Sequence, residues 1–110
     1  LREDTYSRDM ARAYLWCLEH YDDPRILHIG STEEHSVRDI AFAIAQLLEI
    51  DPGRIVFDAS KPSGQARKHT DHSRFLQRSG FRYTPFHEGL RRTVAWFLEH
   101  ADELLLVRSA

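Results

Sequence analysis

The chain is 110 residues long, 42% hydrophobic and 29% charged, with a net charge of −2 and one cysteine. That length makes a single domain, 1–110, able to bury about two-thirds of its surface, and the composition is globular. It excludes a disulfide framework, a multi-thiolate metal site, a broadly basic nucleic-acid binder and a membrane span of roughly 20 apolar residues.

Met10, Tyr14, Cys17 and Tyr21 recur at helical spacing and predict a helix over 9–21, with Ser7 or Asp9 near its N-cap. Asp22-Asp23-Pro24 ends it, because the residue before a proline avoids the helical region. Ile26–Ile29 reads as a short strand stopping at Gly30. Ser36 then caps a helix whose stripe is Val37, Ile40, Ala41, Ile44, Leu47 and Leu48. Asp51-Pro52-Gly53 is a turn and Ile55-Val56-Phe57 a second strand. From Ala59 to Thr70 runs a long irregular segment, a length often given to function. Asp71 or Ser73 caps a short helix that ends at Gly80. Phe81–Thr84 is extended, and Pro85 turns into a last helix that buries Leu90, Val94, Phe97, Leu98 and Ala101. The class is α/β, α+β-like, with short strands and about four helices.

Charge is uneven along the chain. Residues 1–53 net −6, residues 54–82 net +5 with His69 and His72 in addition, and residues 83–110 net −1. A basic stretch between acidic ones suits a small anionic ligand, or equally a solvated loop and helix face.

Much chemistry is missing. The glycines, at 30, 53, 64, 80 and 89, are too far apart for a dinucleotide fingerprint or a phosphate loop. No Tyr is followed four positions later by Lys. Cys17 lies on the apolar stripe of its helix, a packing position, and Trp16 and Trp96 read as packing residues too. His69-x-x-His72 is not a complete metal-ligand set and reads as polar decoration of a loop and helix start, so neither a metal nor a catalytic group is assigned. In Lys61-Pro62-Ser63-Gly64-Gln65-Ala66-Arg67-Lys68, Pro62 and Gly64 are expected to bend the backbone, which would let Lys61, Arg67 and Lys68 converge on phosphate oxygens; alone, the pattern is weak.

Three groups of residues together carry a resemblance. Tyr6-Ser7-Arg8-Asp9-Met10-Ala11 and Ile26-Leu27-His28-Ile29-Gly30 resemble the C-terminal part of extended short-chain dehydrogenase/reductases. Val56-Phe57-Asp58-Ala59-Ser60-Lys61-Pro62, continuing to Lys68, is similar to the substrate loop of the GDP-L-fucose synthases. Thr84-Pro85-Phe86-His87-Glu88-Gly89-Leu90 and Thr93–Leu98 resemble that family's ending. The resemblance implies the last third of an NADPH-dependent 3,5-epimerase-4-reductase acting on GDP-4-keto-6-deoxymannose. The Rossmann domain, the catalytic Ser/Tyr/Lys and the acid/base Cys and His would lie upstream; Cys17 is not that Cys. The chain also has no initiator Met and is expected to be a piece of something longer, inactive by itself.

By the same resemblance Arg2 and Lys68 bind a GDP-sugar, and position 63, Asp in the family, is Ser63 here. Asp4-Thr5 stands where the family is apolar, and Asp4 is expected to compete with phosphate for Arg2. These departures imply either an altered nucleotide preference or a decayed site. NADP(H) would serve the full-length enzyme without a site in this chain, and a homodimer in the cytoplasm, away from nucleic acid and membrane, is expected. Two other readings stay open: the substrate domain of another nucleotide-sugar epimerase or reductase, and a non-catalytic interaction module.

Overall fold

The computed structural model describes residues 1–109, with side chains through Leu104; Ala110, the end of the expected domain, lies outside the described residues. Four helices follow one another: α1 (Ser7–His20), α2 (Val37–Leu47), α3 (Ser73–Ser79) and α4 (Phe86–Ser109), with a 3-10 turn at Pro52–Arg54. Local chemistry sets most of their ends. Ser36 Oγ accepts the Asp39 N–H at 3.0 Å and opens α2. Asp51 Oδ1 accepts the Gly53 N–H at 3.0 Å and opens the 3-10 turn. Asp71 Oδ1 accepts the Ser73 N–H at 2.9 Å where α3 begins, and Gly80, at φ 62°, closes that helix in the left-handed region. Glu33 Oε2 accepts the first amide of α4, Phe86 N–H, at 2.8 Å.

The start of α1 departs from expectation. Its N-cap is Tyr6, with no side-chain cap, because Asp9 turns inward instead. The buried Asp9 carboxylate accepts the Thr84 N–H at 2.6 Å, the Thr84 hydroxyl at 2.9 Å and Arg12 Nη1 at 3.0 Å, tying α1 to the turn before α4.

The strands expected at 26–29, 55–57 and 81–84 are chain without helix or ladder. Among the described residues the β pairing is one isolated antiparallel bridge, Arg2 to His35, with N–H···O distances of 2.8 and 2.9 Å. Side chains take part of the strands' usual role. The Gly30 N–H donates to Tyr83 Oη and the Ser31 N–H to Thr5 Oγ1, both at 2.9 Å. The α/β expectation is therefore met in its helices and not in a sheet.

The core is thin: among the described residues Ala13, Ala45 and Phe75 are the buried apolar ones, and Phe75 meets Trp16 edge-on at 5.5 Å and Phe81 at 5.4 Å. Tyr14, Val37, Trp96, Phe97 and Leu98, expected to pack, are exposed instead. α2 packs on α4, yet the radius of gyration is 17.1 Å, against about 13 Å for a compact domain of this length. One close approach joins the segment after α1 to the entry of α3. Gly30 has φ 154°, and a Cβ there would lie 3.2 Å from His72 Cε1, so a side chain would press that imidazole back by a few tenths of an ångström.

Candidate functional site

The loop between the 3-10 turn and α3 is folded back on the start of the chain. Asp58 opens it: its Oδ1 accepts the Ser60 N–H at 3.0 Å and the Ser60 hydroxyl at 2.5 Å, which holds the Asp58 carboxyl below its ordinary pKa. The far end meets residues 1 and 2. Arg2 is fixed by its backbone bridge to His35, and its Nη1 donates to the carbonyls of Leu1 and Gln65, each at 2.8 Å. Gly64 permits this, since a Cβ there would come within 3.1 Å of Arg2 Nη2. The Lys68 N–H donates to the same Leu1 carbonyl at 3.1 Å. The Arg2 guanidinium and the Lys68 backbone N–H thus share one carbonyl, and the Lys68 side chain is exposed.

The other candidates fall differently. Lys61, Ser63 and Lys68 are exposed, and neither lysine makes an ion pair among the described residues. Arg67 does not join the free cations. Its Nε and Nη2 grip Glu34 Oε1 and Oε2 at 2.6 and 2.8 Å, which raises the guanidinium pKa and lowers that of Glu34. Asp4 does not take Arg2, whose described bonds go to carbonyls; it lines a cavity of about 120 Å³ with Thr5, Tyr6 and Asp9. A larger crevice of about 710 Å³, between the start of α1 and α4, does not include Arg2 or Lys68 either.

Glu3 and Glu34 were not expected here. Glu3 Oε1 meets His69 Nδ1 at 2.7 Å and Glu3 Oε2 meets His72 Nε2 at 3.0 Å. Burial, with the Glu3 side chain only 10% exposed, works against its charge; the hydrogen bonds to His72 and His69 outweigh it and hold Glu3 below its ordinary pKa. The histidine spacing was visible in the sequence, but only the fold brings Glu3 between the two rings. Glu3, Glu34 and His69 place ligand-type atoms within 4.8 Å of one another. Arg67 already occupies both oxygens of Glu34, so the group is an ion-pair network.

No family model matches the chain. Individual proteins do. GDP-L-fucose synthase of Dictyostelium discoideum is 30% identical over 105 residues, 93% of this chain and 32% of that protein. The GDP-L-fucose synthase of Escherichia coli (strain K12) is 34% identical over 111 residues, 93% of this chain and 34% of that protein. A crystal structure of a GDP-L-fucose synthetase from Naegleria fowleri bound to NADP superposes with a TM-score of 0.87 at 35% identity, covering 93% of this chain and 32% of that one. The chain is homologous to GDP-L-fucose synthases. It spans about a third of the length of the synthases it matches. The overlay with the synthetase fold holds even though the three segments here lack a sheet.

Proposed function

We propose that this chain is the C-terminal, nucleotide-sugar-binding part of a GDP-L-fucose synthase-like enzyme. The full-length form would epimerise GDP-4-keto-6-deoxymannose at C3 and C5 and reduce it at C4 with NADPH, yielding GDP-L-fucose. The observation that carries this reading is that the Arg2 guanidinium and the Lys68 backbone N–H share the Leu1 carbonyl, which makes the two cationic residues neighbours, in a chain homologous to those synthases over 93% of its length.

In this reading the diphosphate lies between the Arg2 guanidinium and the Lys68 ammonium. Two cations facing one dianionic bridge make charge-assisted hydrogen bonds, each stronger than a neutral one. Arg2 spends Nη1 on two carbonyls, which leaves Nε and Nη2 to donate to phosphate. Ser63, beside Gly64, offers one hydroxyl to the sugar or nucleoside, without a carboxylate's two acceptor oxygens. Lys61 adds long-range attraction at the loop's outer end, while Arg67 serves the site indirectly by fastening the loop to Glu34.

In this reading NADP(H) is held by the rest of the enzyme: a dinucleotide cradle needs closely spaced glycines open to a pyrophosphate, and the faces of Gly30, Gly64 and Gly89 lie against His72, Arg2 and Tyr6 of this chain. Hydride chemistry would then belong to that remainder. That remainder is also the partner for the exposed apolar side chains, among them Leu18 at 83% and Val56 at 86% exposure. The homodimer would be a property of the full-length enzyme. The cytoplasmic assignment rests on the lone Cys17; among the described residues no helix is long and apolar enough to cross a membrane.

Ser63 supports a second reading, in which the nucleotide is not guanine-based. Competition among GDP, UDP and dTDP separates the two. A preference for GDP is expected, and a preference for UDP or dTDP would move the assignment to another nucleotide-sugar epimerase or reductase.

A further inference from the structure

Two cations can share one diphosphate only if their spacing is held. Arg2 is on the segment bridged to His35, and Lys68 is on an exposed loop with little packing of its own. Besides the Lys68 N–H, side chains of three segments converge to hold that loop down. From the first segment comes Glu3, next to Arg2; from the loop comes His69, next to Lys68, at 2.7 Å from Glu3. From the entry to α3 comes His72, its side chain 4% exposed, 3.0 Å from the other Glu3 oxygen and seated against Gly30. One carboxylate therefore receives both rings and bridges the immediate neighbours of both cations.

We propose that Glu3 is a positioning residue that clasps the loop to the start of the chain and sets the spacing of Arg2 and Lys68. This rests on the nucleotide-sugar reading for its consequence, and on the distances above for its existence. Burial opposes the Glu3 charge, and the hydrogen bonds to His72 and His69 outweigh it and hold the carboxyl below its ordinary pKa. The other charged groups around the clasp are Glu34, 3.9 Å from His69 Nδ1, and Arg67, which neutralises Glu34. The predicted consequence is weaker nucleotide-sugar binding when the clasp is removed.

Calorimetric titration with GDP-mannose tests it. The chain and its Glu3→Gln variant are compared, together with protection factors of the Lys68 amide from hydrogen exchange. Expected in Glu3→Gln are about tenfold weaker binding and reduced Lys68 protection, with unchanged helicity. Unchanged affinity in Glu3→Gln overturns the proposal. If GDP-mannose binds neither protein, the nucleotide-sugar reading fails, and the Lys68 protection factor still decides the clasp: equal protection in both proteins overturns it.

Discussion

Asp9 carries more of the architecture than its place on an exposed-looking helix start suggests. Its buried carboxylate takes two hydrogen bonds from Thr84 and one from Arg12, and so ties α1 to the chain entering α4. Removing it leaves the Thr84 N–H and hydroxyl without their acceptor at a half-buried position. Asp9→Ala is expected to cost about 2–3 kcal/mol of unfolding free energy, measurable by urea denaturation. A cost near zero would mean that water reaches Thr84 and that the carboxylate is dispensable. The residue scale also separates the basic side chains of the loop, which a sequence cannot do. Lys61, Arg67 and Lys68 look equivalent along the chain, yet Arg67 is closed off by a fork to Glu34, a partner 33 positions away.

At the scale of elements, α2 ends under strain. Glu49 follows it with φ 56°, a conformation that costs a residue with a Cβ about 1–2 kcal/mol. Glu49→Gly is expected to raise stability by about 0.5–1 kcal/mol, read from a shift in the urea midpoint at constant slope. The loops are held largely by ionised carboxylates. Asp23 is lowered by hydrogen bonds from Arg25, Glu34 by Arg67, Asp58 by Ser60 and Asp71 by Ser73. Each titrates lower folded than unfolded, so on acidification the unfolded chain takes up protons first. Their stabilisation is complete above the unfolded values and is lost as pH falls through the folded ones. Thermal scans should therefore show Tm falling below about pH 4; a Tm that rises there would contradict these pairings.

Helix ends were legible in the sequence because their chemistry is local: Ser36, Asp51 and Gly80 act within three residues of themselves. Strands were not, because a β-branched run such as Ile55-Val56-Phe57 reports a preference for a neighbour without saying where the neighbour is. The exposure of Tyr14, Phe97 and Leu98 was illegible for the same reason: periodicity marks a face that is covered, not what covers it. In the candidate site, Arg2 and Lys68 were reachable through the resemblance to known synthases. Glu3 was not, since its role exists only once residues 3, 69 and 72 are folded together.

As a whole, the molecule exposes more surface than its mass requires. Its accessible area is 8712 Å², against about 6300 Å² for a compact monomer of 12.9 kDa. The excess exceeds the roughly 1600 Å² of a standard protein–protein interface, and its apolar part includes Leu15, Leu18, Ile26, Val56 and Trp96. Light scattering across a concentration series should therefore show self-association of the chain in isolation; a monomer at every concentration would mean that these faces close on each other in solution. The central claim is narrower, that Arg2 and Lys68 form one anion site for a guanosine diphosphate. It is tested most directly by titrating the chain and its Lys68→Ala variant with GDP in a calorimeter, at low and moderate salt. Saturable binding is predicted that weakens with salt and loses about 1–3 kcal/mol in the variant. Binding indifferent to both salt and Lys68, or none at low salt, would contradict it.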